Sequence, residues 1–165
     1  MKKTIIGIMG PGAGAGERDL KNAYALGQLI AQQGWVLLTG GRGVGVMEAG
    51  SQGAKSVNGL TVGVLPNANT EGMSEAVDIA IFTDMGNGRN NINVLSSDVV
   101  IACGLGVGTL SEIALGIKNH KPVIILADYP EMQQCLATLA GDSLWFAETP
   151  EVAIEITFKI LAGNR

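Results

Sequence analysis

The chain predicts a doubly wound α/β fold, a mostly parallel sheet of about six or seven strands with helices on both faces. Three observations carry this. Short apolar runs rich in β-branched residues recur along the 165 residues. A glycine-bearing turn follows most of them. A stretch with helical spacing lies between one run and the next.

In chain order, residues 4–9 (TIIGIM) form the first apolar run, a buried strand. Its two preceding lysines imitate a leader peptide for only a few residues before glycine and proline intervene, so it is read as a strand. A glycine-rich loop over 10–16 precedes a helix over 17–34, where Leu20, Tyr24, Leu26 or Gly27, and Ile30 share one face. Residues 35–40 are the second strand and 46–57 a helix of small residues able to pack closely on a sheet. The third strand covers 60–66 and stops at a proline. Residues 67–77 are irregular and form a candidate flap. Strand 78–83, a turn and helix over 85–97, strand 98–104, helix 109–120 and strand 121–127 follow. The chain finishes with a helix over 130–141, a weaker strand over 143–149 and a helix over 150–163 with proline near its start. No linker, repeat array or low-complexity tract interrupts the pattern, so residues 1–165 read as a single domain.

Composition narrows the function classes. Hydrophobic residues make up 47% and charged residues 16%, which describes a core-rich globular chain. The net charge of −4 argues against a broad nucleic-acid surface, although a helix N-terminus or an arginine can still hold one small anion. No apolar stretch approaches the roughly 20 residues of a membrane span. Cys103 and Cys135 lack metal-site spacing and His120 is the sole histidine, so reduced thiols in a cytoplasmic protein and no protein-ligated metal are expected.

Three glycine turns follow strands: Gly10-Pro11-Gly12, Gly40-Gly41-Arg42-Gly43, and Gly104-Leu105-Gly106-Val107-Gly108. Each is placed to offer backbone N–H groups at a helix start, and together they predict a shared oxyanion site at the carboxyl ends of the strands. No turn carries the dinucleotide fingerprint or a phosphate-loop lysine, so no NAD is expected. Arg89 opens a helix, where its charge opposes the dipole unless an anion sits nearby, and Arg42 is a second candidate clamp. Thr109 and Glu112 have capping-box spacing, which explains both without a ligand; the alternative places the Glu112 carboxylate beside a bound sugar or pterin. Ser111 has no nearby base, so a serine-histidine-aspartate device is not supported. Cys103 reads as a buried small hydrophobe. Trp35, Trp145, Phe146 and the methionines read as core.

Three segments together are specific: TGGRGVGVMEAGSQGA, RNNINVLSSDVVIACG and GVGTLSEIALGIKNHKPVIIL. Along nearly the whole chain they resemble the lysine-decarboxylase-like superfamily. It includes the cytokinin-activating nucleotide phosphoribohydrolases and the molybdenum cofactor carrier proteins. The opening IIGIMGPG, the segment GWVLLTGGR and the run from VDIAIFT to GRNNINVLSSDVV resemble the carrier branch most. The hydrolases carry a proline-glycine-glycine-x-glycine-threonine motif followed by two glutamates, with an arginine fifteen residues before the proline. That arginine falls on Arg89, the motif on positions 104–109 and the second glutamate on Glu112. Gly104 replaces the proline, Leu105 a glycine, Ser111 the first glutamate, and Asn90 a usual lysine. The anion-binding half of the hydrolase site is kept and the hydrolytic half altered.

The resemblance implies a Rossmann-like homo-oligomer, usually a homotetramer. It implies a surface crevice for molybdopterin-type cofactor as cargo, and delivery to apo-molybdoenzymes such as nitrate reductase. The candidate binding residues are Gly10, Gly12, Gly40, Gly41, Arg42, Arg89, Asn90, Gly106, Gly108, Thr109 and Glu112. The rival expectation is a phosphoribohydrolase cleaving the N-glycosidic bond of a nucleoside 5′-monophosphate, with Arg89 and Glu112 as its catalytic pair. A nucleotide-sensing module ranks behind both.

Overall fold

The computed structural model describes residues 2–127 and 129–163. Its strands are β1 (Ile5–Met9), β2 (Val36–Thr39), β3 (Thr61–Leu65), β4 (Ile79–Phe82), β5 (Val99–Cys103), β6 (Val123–Leu126) and β7 (Leu144–Phe146). They form one seven-stranded sheet in the order β4-β3-β2-β1-β5-β6-β7, and each pairing is parallel. Ile6 in β1 aligns with Leu37 on one side and Val99 on the other.

Six helices cover the sheet: α1 (Glu17–Gln32), α2 (Gly45–Lys55), α3 (Asn90–Ser96), α4 (Val107–Lys118), α5 (Pro130–Ala140) and α6 (Pro150–Gly163). Burial on both faces is why the inner strands are unbroken apolar runs and not alternating ones. Side chains still alternate between the two layers. Ile6, Ile8, Val99, Ile101, Ile124 and Leu126 pack under α1, α2 and α6 with Leu26, Val46 and Ile154. Met9, Val100, Ala102, Val123 and Ile125 pack on the other face with Val94 of α3, Ile113 of α4 and Leu136 of α5. The chain builds outward from β1 to β4, returns to the middle, and builds the other way from β5 to β7. The order therefore reverses between β1 and β5, and a cleft opens there above the strand ends.

Several expectations need correction. In α1 the buried residues are Ala23, Leu26, Gly27 and Ile30, while Leu20 and Tyr24 are exposed. The reason is the neighbour: α1 lies so close to α2 that a Cβ on Gly27 would stand 2.1 Å from the Gly50 carbonyl oxygen. Small residues fill that seam and the large ones turn outward. Phe146 and Met85 are exposed, not core, and Trp35 is half-buried with its ring 4.8 Å from that of Phe158. The turn and helix expected over 85–97 are a 3₁₀ turn (Gly86–Arg89) followed by α3. The helix expected from residue 109 begins at Val107, with Gly106 as its N-cap.

Candidate anion-binding crevice

The cleft at the β1/β5 reversal is a crevice of about 310 Å³. That is the lower end of the roughly 300–1,000 Å³ usual for small-molecule sites. It brings together Gly10 and Gly12 after β1, Gly40 and Arg42 after β2, Arg89 and Asn90 before and at the start of α3, and Gly106, Gly108, Thr109 and Glu112 of the α4 end. Gly41 is the exception among the candidate residues. Its φ of +75° and its closeness to Gly63 turn it toward β3, where its carbonyl accepts a hydrogen bond from the Ser74 N–H at 2.9 Å.

Of the three glycine turns, the third presents its helix N-terminus most fully to the crevice. At the start of α1, which does not line the crevice, Asp19 places a carboxylate whose Oδ2 accepts the Gly16 N–H at 3.0 Å. The first turn of α2 is stapled to the β1 loop, because the Val46 N–H donates to the Pro11 carbonyl at 3.0 Å. No side chain caps α4. Gly106, Val107, Gly108 and Thr109 line the crevice with its open end, where the dipole and the backbone N–H groups favour an anion.

Thr109 is not the cap. It sits within the first turn, 2% exposed, and its Oγ1 has no hydrogen-bond partner. Glu112 does not close a capping box either. Its Oε1 accepts a 2.9 Å hydrogen bond from Asn93 Nδ2, and the residue is 6% exposed. Asn93 was not singled out by sequence, although it lies one helical turn after Arg89 and hence on the same face.

Arg89, the expected clamp at a helix start, is buried, 8% exposed. Its Nη1 donates to Asn90 Oδ1 at 2.6 Å, Asn90 Nδ2 donates to Ser111 Oγ at 2.9 Å, and Ser111 Oγ donates to the Gly108 carbonyl at 2.6 Å. This chain ties the guanidinium to the first turn of α4. Gly40 makes room for it: a Cβ there would stand 2.8 Å from both Arg89 Nη2 and Met47 Sδ. Arg89 Nε has no partner. Met9, Met47, Pro11 and Asn87 also line the crevice. The two methionines gave no sequence signal beyond that of ordinary core residues.

The charges are arranged without a direct ion pair between Arg89 and Glu112. The ion pairs found among the described residues are Lys2–Asp98, Lys21–Glu17 and Lys55–Asp78. Burial pushes Glu112 up to about 7, against the pull of the Asn93 hydrogen bond and the Arg89 charge. Burial also lowers Arg89, partly offset by Glu112 and reinforced by Arg42; an arginine so shifted still stays charged. A buried cation with an unpartnered N–H, an unpartnered threonine hydroxyl and an open helix end are arranged to take an oxyanion. Buried polar groups are otherwise satisfied in folded proteins.

This reading makes an asymmetric prediction for Thr109→Val. Removing a buried hydroxyl that has no partner leaves stability within about 1 kcal/mol of the parent or raises it. Anion binding falls about tenfold, the worth of one hydrogen bond to a charged group. Urea unfolding alongside ligand titration checks both.

The irregular segment over 67–77 is not a lid on this crevice. The Gly43 N–H donates to the Gly72 carbonyl at 2.8 Å, Arg42 and Met73 form a β-bridge, and the segment lies along the β2–α2 turn. Residues 67–72 border a separate groove, which Arg42 shares.

Comparison with known proteins places the fold in a family. A model of the SLOG cluster4 family matches residues 3–154. The molybdenum cofactor binding protein of the phototrophic bacterium Rippkaea orientalis superposes with a TM-score of 0.96 at 63% identity, over 98% of this chain and 99% of that one. The Moco carrier protein of Chlamydomonas reinhardtii superposes with a TM-score of 0.92 at 45% identity, again over 98% and 99%. A cytokinin riboside 5′-monophosphate phosphoribohydrolase of Mycobacterium tuberculosis is 38% identical over 131 residues, which is 74% of this chain and 70% of that protein. The chain thus belongs to the SLOG cluster4 family, in the group of the molybdenum cofactor carrier proteins.

Proposed function

We propose that this protein binds molybdenum cofactor as cargo in the β1/β5 crevice, shields it, and hands it to apo-molybdoenzymes such as nitrate reductase. The observation that carries this is Arg89, a buried guanidinium whose Nε lacks a partner on the crevice wall. The terminal phosphate of the cargo would rest on the open end of α4 with Thr109 and Arg89. Met9 and Met47 offer a soft apolar wall to the ring system. Binding and release suffice for this role. The whole chain, 1–165, acts in this reading as one ligand-binding domain, in a cytoplasmic homotetramer that needs neither nucleic acid nor a membrane surface. No helix of the described residues is long and apolar enough to cross a membrane.

The second reading, hydrolysis of a nucleoside 5′-monophosphate, rests on Glu112, a buried carboxyl in the same crevice whose protonation midpoint suits acid–base work. Ser111 weighs against it. This residue occupies the position of the first family glutamate, and its hydroxyl is consumed in bridging Asn90 to Gly108. Incubation with AMP separates the two readings. The carrier reading expects no adenine release above the protein-free blank, and activation of apo-nitrate reductase by the cofactor-loaded protein. Steady adenine release that disappears in Glu112→Gln would make the protein an enzyme.

A further inference from the structure

Asn93 poses a problem that the bound anion alone does not solve. It is fully buried, its Nδ2 donates to Glu112, and its Oδ1 has no donor. A deprotonated Glu112 is acceptor-only and cannot serve that oxygen. A protonated Glu112 can: its carbonyl keeps the Nδ2 hydrogen bond while its hydroxyl donates to Oδ1, closing an acid–amide pair. The fold has therefore built a partner for the protonated acid into the wall of an anion site.

The crevice also forces the two events together. Arg89 is the cation whose field supports the Glu112 carboxylate, and it is the same cation that an incoming oxyanion would engage. Other charges are poorly placed to compensate. Arg42 on the β2–α2 turn is exposed at the crevice and acts on Arg89, with no such effect on Glu112. No charged residue lies on α3 or β6, which both pack on α4. On α5, Glu131 and Cys135 are exposed. Cys103 of β5 packs into the opposite layer of the sheet. Lys118 and His120 lie at the far end of α4 and are exposed.

We infer that Glu112 couples anion capture to proton uptake: an oxyanion bound at Arg89 and the α4 terminus draws one proton from solvent onto the Glu112 carboxylate, which then pairs with Asn93. The coupling rests on the reading of the crevice as an anion site, and adds its regulation. Acidification favours loading and alkalinity favours release. By linkage, each unit by which the anion raises the Glu112 midpoint makes binding about tenfold tighter on the acid side than on the alkaline side.

Sulfate is the probe, because it is a tetrahedral dianion that does not itself titrate near neutrality. Carbon NMR of the glutamate carboxyl groups, with the Glu112 signal assigned by its loss in Glu112→Gln, gives the midpoint directly. The expected midpoint is about 7 without sulfate and moves upward as sulfate is added. In parallel, sulfate affinity weakens as pH rises in the parent and is pH-independent in Glu112→Gln. A midpoint in the ordinary carboxylate range, a midpoint unmoved by sulfate, or a pH dependence that survives in Glu112→Gln overturns the coupling. Sulfate tests the coupling without the cofactor. A protein that shows it yet retains no pterin loses only the cargo reading, and one that retains pterin with no sulfate response loses only the coupling.

Discussion

Arg89→Ala loses most of the anion affinity of the crevice, roughly 2–3 kcal/mol for a charge-assisted contact, which is about thirty- to two-hundredfold in Kd. The size of the effect follows from where the guanidinium sits. An exposed arginine would be screened by water and salt and would be worth little. Arg89 is buried, held in place through Asn90 and Ser111, and its Nε–H has no partner in the protein. Arg89→Lys is not a rescue, because a lysine ammonium cannot keep the Asn90 contact and also reach the ligand in the same planar fork. Anaerobic equilibrium binding of the cofactor to parent, Arg89→Ala and Arg89→Lys proteins measures it. A parent-like Kd in Arg89→Ala would remove Arg89 from the site. A far smaller loss is expected for Arg42→Ala, whose side chain is exposed at the rim.

Gly27→Ala carries a large expected loss of stability. The added Cβ would meet the Gly50 carbonyl oxygen at 2.1 Å and the Ala54 nitrogen at 2.8 Å. Both are backbone atoms of α2, so no side-chain rotation relieves the collision. Either α1 and α2 separate, opening the layer that holds Ala23, Leu26 and Val46, or the helices bend. Overpacking of this kind costs about 3 kcal/mol. It exceeds the roughly 1 kcal/mol that alanine gains over glycine in helix propensity. Thermal unfolding of Gly27→Ala beside Gly108→Ala makes the comparison internal, since nothing stands near a Cβ at Gly108.

The alternation of elements could be read from the sequence for a physical reason. Strands buried on both faces must be unbroken apolar runs, and β1, β2, β5 and β6 are. Glycines mark their ends because the chain turns there into a helix. What could not be read was which glycine faces a ligand and which faces a neighbouring strand. Gly40 and Gly41 are adjacent, yet one makes space for Arg89 and the other packs on Gly63. The helix start at Gly106 was hidden for a similar reason. Thr109 and Glu112 satisfy the spacing of a capping box, and only tertiary burial reveals that both side chains point into a cleft. In α1, helical spacing selected Leu20 and Tyr24 because they are large, whereas close approach to α2 selects small residues. Arg89 and Glu112 were legible as chemistry. Asn93, whose amide holds the Glu112 carboxyl, reads in sequence as one more asparagine.

Gel filtration after anaerobic incubation with isolated molybdenum cofactor is the most direct measurement. The protein peak is collected, its pterin oxidised, and the fluorescence compared with protein concentration. Cofactor carried in the crevice predicts stoichiometric pterin in the protein peak of the parent and little in that of Arg89→Ala. A parent peak without pterin, under conditions in which the free cofactor survives, would contradict the carrier function.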